Sequence, residues 1–269
     1  MAHRSSSDLL GRLVVEAEAE TARRRSATSE AALEAALGSA PPVRSLSAAL
    51  RRPRLALIAE MKRRTPTMGL LAESYDPAAL GALYATAGAD AISVLCQETS
   101  FGGEPAHVAV ARAEAGETPI LRKDFVVTEH QLLEGRALGA DAVLLIVGAL
   151  APPRLEALLG TAASMGLEAL VEVHDEAETE VALATGARLI GINHRDLVTF
   201  TVDLGLTERL RPMIPTGVVV VAESGIKGPE DAARMRAAGA DAILVGEALM
   251  RAADPAATVR SLTASGEAR

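Results

Sequence analysis

The phrase GADAISVL at residues 88–95 decides the fold, because the chain repeats it three times. Its relatives are GADAVLLI (139–146), GARLIGIN (186–193) and GADAILVG (239–246), and each follows an alanine-rich amphipathic stretch. The first glycine of the phrase is typical of the left-handed residue that ends a helix. The β-branched and leucine run after it predicts a strand that is buried on both faces. The repeat therefore predicts a helix followed by a buried strand, four times over.

Four further apolar runs fall between these phrases: LALIAE (55–60), ILRK (120–123), EALVEV (168–173) and GVVVVAE (217–223). The eight predicted strands end near residues 60, 95, 123, 146, 173, 193, 222 and 246. Eight strand–helix units at this spacing predict a single (β/α)8 barrel of the TIM type. A doubly wound open sheet is the alternative, but it would have a glycine-rich turn after the first strand, and AEMKRRTPTMG (59–69) is not one.

Residues 1–47 precede the barrel and predict a helical extension that packs on it, with helices at about 7–25 and 29–37. Pro41 and Pro42 end any helix there. We expect the barrel to span residues 48–262 and a polar tail to cover 263–269.

Composition excludes several classes of function. A net charge of −8 gives no attraction to nucleic acid or anionic lipid unless a basic patch is present. No stretch reaches the roughly 18 apolar residues of a membrane span, and the N-terminus turns acidic where a signal peptide would stay apolar. The single cysteine, Cys96, is compatible with a reducing compartment. We expect a cytoplasmic monomer or weak homo-oligomer.

Lysine is scarce in this chain. Only Lys62, Lys123 and Lys227 are lysines among 27 cationic residues. An ammonium, unlike a guanidinium, readily shifts its pKa and gives up a proton, so a retained lysine is a candidate for acid–base chemistry. Coding bias is the alternative explanation. The positions of Lys62 and Lys123 favour a role in acid–base chemistry, because both lie at the ends of predicted strands.

Polar residues cluster at the carboxyl ends of the predicted strands, where barrels of this type place their chemistry. They are Glu60, Lys62, Lys123, Glu172, Asn193, Arg195, Glu223, Ser224, Gly246 and Glu247. Each carboxylate alone could belong to a structural ion pair. Burying an unpaired charge costs several kcal/mol. The carboxylates of Glu60, Glu172 and Glu223 and the ammoniums of Lys62 and Lys123 should therefore satisfy one another and shift one another's pKa values if they converge. This pattern indicates general acid–base catalysis.

Two other features indicate the ligand. The loops ESGIKG (223–228) and VGEAL (245–249) follow the last two strands, where backbone N–H groups of such barrels often bind phosphate. Phe101 and Phe125 follow strands two and three and predict an apolar wall for an aromatic ligand. Phe200 is interpreted as ordinary loop packing. The histidines show no spacing typical of a zinc site, and we expect no metal.

Seven motifs in order carry a resemblance to a known family. IAEMKRRTPTMG, SVLCQETSFGG, LRKDF, LVEVHD, GINHRDL, VAESGI and LVGEALM resemble the motifs of indole-3-glycerol phosphate synthases over about residues 40–252. The resemblance implies the substrate 1-(o-carboxyphenylamino)-1-deoxyribulose 5-phosphate, which is decarboxylated, cyclised and dehydrated in tryptophan biosynthesis without a metal or organic cofactor. It also implies that Lys123 is the general acid of ring closure and Glu172 the general base of dehydration.

The same resemblance assigns the remaining site residues. Lys62 and Glu60 would form a pair beside the phosphate and carboxylate and share in proton transfer. Asn193, Glu223 and Arg195 would hold the carboxylate and hydroxyls. The phosphate site would comprise Ser224, Gly225, Gly246 and Glu247. The anthranilate ring would be enclosed by Phe101, Phe125, Leu144 and Leu197, with Pro66 in the first loop.

Some positions depart from the family's usual residues, namely Thr65, Thr67, Met68, Cys96, His194 and Ala248. They leave open a paralogue with an altered substrate in a secondary pathway. A second alternative is the related phosphoribosylanthranilate isomerase, which needs a cysteine at the end of its first strand, where this chain has Glu60 and Met61. A third is a non-catalytic barrel, which the intact set of lysines and glutamates opposes.

Overall fold

Eight parallel strands close into a barrel in a computed structural model that describes residues 9–196 and 198–265. Each strand pairs with its neighbours in sequence, and β8 pairs with β1. The strands are β1 (Ala56–Met61), β2 (Ala91–Leu95), β3 (Ile120–Lys123), β4 (Ala142–Ile146), β5 (Glu168–Val173), β6 (Leu189–Asn193), β7 (Val219–Glu223) and β8 (Ala242–Val245). The predicted (β/α)8 barrel is confirmed, and the open sheet is wrong.

Helices surround the barrel and cover its ends. They are α1 (Leu9–Ala27), α2 (Glu30–Leu37), α3 (Leu46–Leu50), α4 (Pro77–Ala87), α5 (His107–Glu114), α6 (Glu129–Ala137), α7 (Pro152–Ser164), α8 (Glu176–Ala184), α9 (Gly205–Leu210), α10 (Pro229–Ala237), α11 (Glu247–Met250) and α12 (Pro255–Ser265). The two predicted N-terminal helices correspond to α1 and α2, whereas α3 was not predicted. Two short antiparallel strands, Arg64–Thr65 and Gly69–Leu70, form a hairpin after β1.

The glycine that opens each repeated phrase has the expected left-handed backbone. The φ angles of Gly88, Gly139, Gly186 and Gly239 are 98°, 88°, 79° and 88°. Gly88 ends α4, where its N–H donates to the carbonyls of Tyr84 and Ala85. A side chain is disfavoured at these torsion angles, so the glycines end the helices and allow the chain to enter the next strand.

The apolar core has two layers. One lies between the strands and the outer helices, and the other fills the inside of the barrel. The inner layer includes Leu46 and Leu50 of α3, next to the start of β5, and Leu10, Leu13 and Ala17 of α1, next to the opposite end. α3 therefore closes the amino-terminal end of the barrel and α1 lies against the carboxyl end.

The division of the chain into an extension, a barrel and a tail stays a prediction. α3 crosses the predicted boundary after residue 47, and α12 continues to Ser265, inside the predicted tail. Residues 266–269 of that tail lie outside the described part of the chain. Among the described residues, no helix combines the length and apolar character that crossing a membrane requires.

Candidate active site

A cavity of about 810 Å³ opens at the carboxyl ends of the strands, within the size range of small-molecule sites. Every predicted site residue in the described part of the chain lines it. These residues are Glu60, Lys62, Pro66, Phe101, Lys123, Phe125, Leu144, Glu172, Asn193, Arg195, Glu223, Ser224, Gly225, Gly246 and Glu247. Leu197, also predicted, lies outside the described residues. The closed parallel barrel brings these residues together from all along the chain.

Lys123 lies at the centre of the charged group. It follows Arg122 on β3, and the two side chains point to opposite faces of the strand. Arg122 faces outward, where it is fully buried and bonds to Asp124 and Glu134. Lys123 faces inward, and its Nζ lies 2.9 Å from Glu172 Oε2 and 3.1 Å from Glu223 Oε2. One ammonium therefore joins the carboxylates of β5 and β7.

These three groups shift one another's pKa values. Burial alone would lower the pKa of Lys123, but the carboxylates of Glu172 and Glu223 outweigh burial and raise it. Burial would raise the pKa of Glu172, but Lys123, His174 and Asn193 lower it well below the ordinary range. For Glu223, burial prevails over the attraction of Lys123, and the charge of Glu172 adds to it, so that its pKa rises to about 7. At neutral pH, Lys123 is charged, Glu172 is ionised, and Glu223 is poised between its two forms.

Two glycines leave space for two of the carboxylates. A Cβ atom at Gly191 would lie 2.0 Å from Glu223 Oε1, and one at Gly246 would lie 2.4 Å from Glu60 Oε1. Lys62 Nζ donates to Glu60 Oε1 over 2.7 Å. Glu60 Oε2 and Glu223 Oε1 are buried and accept no hydrogen bond from a described residue, and Glu223 Oε2 has only its ion pair with Lys123. A polar ligand in the cavity could supply donors to these oxygens.

The loop after β7, predicted to bind phosphate, has an unusual backbone. Ser224 and Gly225 both adopt left-handed torsions, with φ angles of 66° and 80°. A non-glycine residue in this region is uncommon and often marks a functional turn. His194 supports the loop, because its Nδ1 lies 2.9 Å from the carbonyl oxygen of Ser224 and its Nε2 lies 2.7 Å from Thr207 Oγ1.

The apolar wall lies on the opposite side of the mouth. Phe101 and Phe125 pack with ring centroids 6.1 Å apart. α1 fixes the loop that carries Phe101, since Glu20, which is 3% exposed, accepts hydrogen bonds from the backbone N–H groups of Glu98 and Thr99. The interpretation of Phe200 as ordinary loop packing was wrong, because it lines the mouth of the cavity, with a φ angle of 61°.

Comparison with known proteins agrees with this geometry. The family model described as indole-3-glycerol phosphate synthase matches residues 10–262. The chain belongs to the indole-3-glycerol phosphate synthase family. Indole-3-glycerol phosphate synthase 2 of Streptomyces coelicolor is 57% identical over 95% of this chain and 99% of its own. The indole-3-glycerol phosphate synthase of Parafrankia is 51% identical over 92% of each chain.

Solved structures outside the indole-3-glycerol phosphate synthase family share the barrel alone. Thiamine phosphate pyrophosphorylase from Pyrococcus furiosus has a TM-score of 0.61 at 19% identity, over 80% of this chain and 96% of that one. 3-Hexulose-6-phosphate synthase from Salmonella typhimurium has a TM-score of 0.61 at 15% identity, over 78% and 98%. Membership in the synthase family does not favour the isomerase or the altered paralogue considered from the sequence.

Sequence reasoning missed several residues of this synthase-family site. Leu9 and Leu13 of α1 line the cavity, although no sequence pattern linked them to it. His174 contacts Glu172 through Nε2 at 3.3 Å. The signal that could have identified His174 is local, since it stands two residues after Glu172 and four before Glu178, which also contacts its ring.

Proposed function

We propose that this chain converts 1-(o-carboxyphenylamino)-1-deoxyribulose 5-phosphate into indole-3-glycerol phosphate, with Lys123 as the general acid and Glu172 as the general base. The class of reaction follows from the family, which makes the chain a carboxy-lyase of tryptophan biosynthesis. One observation carries the assignment of roles. A partly buried ammonium lies within 3.1 Å of two carboxylates, beside an aromatic wall, in a cavity large enough for the substrate.

Ring closure needs a more electrophilic ketone. The ammonium of Lys123 donates a proton to the carbonyl oxygen while the aromatic carbon that bears the carboxylate attacks the carbonyl carbon. Loss of CO2 then restores the aromatic ring. Only 13% of the Lys123 side chain is exposed, so the ammonium interacts more strongly with the developing charge than it would in water.

Dehydration needs an acid and a base at separate positions. The hydroxyl leaves with a proton from an ammonium, while Glu172 accepts the proton from the neighbouring carbon. Glu172 is suited to the role of base because it is ionised and firmly held, with Asn193 Nδ2 donating to its Oε1 over 3.0 Å. The Lys62–Glu60 pair is the second ammonium–carboxylate unit in the cavity and shares in proton transfer.

The remaining contacts position the substrate. Glu223, Asn193 and Arg195 bind its carboxylate and hydroxyl groups. The loops at Ser224–Gly225 and Gly246–Glu247 bind the phosphate, and Phe101, Phe125, Leu144 and Leu197 enclose the anthranilate ring, with Pro66 in the first loop over the mouth. The position of the two loops supports the phosphate assignment, because they line the cavity after the last two strands, where such barrels often bind phosphate.

We further propose that the enzyme acts in the cytoplasm as a monomer or weak homo-oligomer without a metal or organic cofactor. Its single cysteine, Cys96, is buried and unpaired, which suits a reducing compartment. Light scattering over a range of protein concentrations tests the oligomeric state, and turnover after exhaustive chelation tests the independence from metal.

The assay follows the fluorescence of the indole product. We expect turnover by the wild-type protein and none above background for Lys123→Met, because methionine fills the space but carries no proton. Lys123→Arg should also be inactive, since a guanidinium keeps the charge but does not release its proton. Arg188→Met removes an exposed cation at the opposite end of the barrel and should keep wild-type activity. Normal turnover by a folded Lys123→Met protein would refute the assigned role.

A further inference from the structure

The imidazole of His174 lies between two carboxylates just beyond the end of β5. Its Nε2 lies 3.3 Å from Glu172 Oε1, and its Nδ1 lies 3.1 Å from Glu178 Oε2. Only 8% of the side chain is exposed. The side chains of Glu178, His174 and Glu172 therefore contact one another in sequence, from α8 to the proposed base, Glu172.

The backbone fixes Glu178 in this position. Glu178 Oε2 also accepts a hydrogen bond from the backbone N–H of His174 over 2.9 Å, and Asp175, the N-cap of α8, accepts from the N–H of Glu178 over 2.8 Å. Gly148 completes the site, because a Cβ atom there would lie 2.7 Å from Glu178 Oε1. The absence of a side chain at Gly148 leaves the space that the carboxylate occupies.

The charges around His174 favour its protonated form. Glu172 on its own strand and Glu178 on α8 face the ring, while the turn at Val147–Ala149 and the nearby Leu10 of α1 bring no charge. Burial would lower the pKa of His174, but the two carboxylates raise it to about 10. Lys123 faces Glu172 from β3, the neutral Asn193 faces it from β6, and Glu223 on β7 adds a nearby carboxylate. Glu172 thus has two cationic neighbours.

We propose that His174 is a positioning residue that holds Glu172 by one oxygen and keeps it ionised while Lys123 serves the substrate, an inference that rests on the proposed function. Once Lys123 turns to the carbonyl and gives up its proton, Glu172 loses one cationic partner. A carboxylate buried without a cation takes up a proton and stops acting as a base. The imidazolium of His174 remains in contact with Glu172 Oε1 and prevents this, while Glu178 preserves the charge on the ring.

Two substitutions separate geometry from charge. In His174→Gln, the amide nitrogen takes the place of Nε2 and donates to Glu172 without a charge, whereas the side chain of His174→Asn is too short to reach Glu172. We expect the acid limb of the kcat–pH profile to move to higher pH in both variants, because Glu172 has lost a cation. At pH 8, kcat should fall about tenfold in His174→Asn and roughly threefold or less in His174→Gln, with KM little changed.

His130→Gln provides the matched control, since His130 is a buried histidine on α6 that does not line the cavity. It should keep the wild-type kcat and pH profile, and melting curves establish that all variants fold. Wild-type profiles for both His174 variants would overturn the inference, as would an equal fall in kcat without a pH shift. If the wild-type protein fails to turn over the substrate, the proposed function fails first.

A measurement that needs no turnover tests the charge itself. NMR titration of the imidazole, assigned by its loss in His174→Gln, should find His174 protonated above pH 8 in the wild-type protein. Glu178→Gln removes one of the two carboxylates and should move that titration to lower pH. A ring of His174 that is neutral at pH 7 in the wild-type protein would overturn the inference.

Discussion

The two ends of the barrel both bury carboxylates, but they partner them differently. At the amino-terminal end, Asp90 accepts hydrogen bonds from Arg54 and the N–H of Leu57, at distances of 2.7–2.9 Å. Asp141 accepts from the N–H groups of Arg44 and Ile120 over 2.7 Å and pairs with Arg112. Every oxygen of these two aspartates has a donor.

At the carboxyl end, the carboxylates are left incompletely bonded. Glu60 Oε2 and Glu223 Oε1 are buried without a hydrogen bond from a described residue. An unsatisfied buried oxygen costs about 1–3 kcal/mol, so this arrangement lowers stability unless a ligand completes it. Buried charge alone therefore does not identify an active site, whereas buried charge with unused acceptors indicates one.

The largest effect should come from the amino-terminal end. Asp141→Ala leaves the buried guanidinium of Arg112 unpaired and should lower the free energy of unfolding by about 3–5 kcal/mol, measured by urea denaturation. The kcat/KM of the folded protein at low temperature should change little, since this end of such barrels serves stability. Glu117→Ala, which removes a carboxylate that is 99% exposed, is the control and should be neutral. A stable but inactive Asp141→Ala protein would contradict the structural role of Asp141.

At the carboxyl end, the pH dependence should have a distinctive sign. The pKa of Glu223 is raised from 4.5 to about 7 in the folded protein, so its contribution to stability is full below pH 4.5 and is lost as the pH rises through 7. Glu223→Gln abolishes this loss. The stability of the variant relative to wild type should therefore grow between pH 5 and 8.5, by up to about 3 kcal/mol, while activity falls. A difference in melting temperature that does not depend on pH would contradict this expectation.

A smaller and sharper test concerns the space beside Glu223. Gly191→Ala places a methyl group against Glu223 Oε1 and should displace the carboxylate, which lowers kcat/KM at least about tenfold. Gly160→Ala on α7 is the matched control, because a Cβ atom there meets nothing within 4 Å. It should leave activity unchanged and raise stability by about 0.5–1 kcal/mol. Equal activity of the two variants would show that the position of Glu223 does not matter.

Much of the fold could be predicted because its signals are local. Each buried strand is a short β-branched run, and the glycine before four of them ends the preceding helix. The strand ends expected at 60, 222 and 246 lie at Met61, Glu223 and Val245, and these one-residue differences leave the inward-facing residues unchanged. The hairpin after β1 and the short α3 were missed, because their sequences carry no extended periodicity.

The site residues that lie at strand ends could be predicted from the sequence, whereas the contacts made by distant segments could not. Parallel closure alone brings Lys123, Glu172 and Glu223 to one mouth, so their positions in the sequence were sufficient. Glu20 reaches the loop at Glu98 and Thr99 from a helix more than 70 residues earlier, and no local pattern encodes such a contact. The spacing of the histidines gave no signal for His174, because its partners are carboxylates and not a metal ion.

Because of the left-handed backbone of Ser224, selection for stability and selection for activity should favour different residues at this position. A residue with a side chain pays about 1 kcal/mol to hold a φ angle of 66°, and glycine does not. In a library screened only for resistance to heat, Ser224→Gly should therefore be enriched. In the same library grown without tryptophan, serine should return if its hydroxyl binds the phosphate of the substrate as proposed.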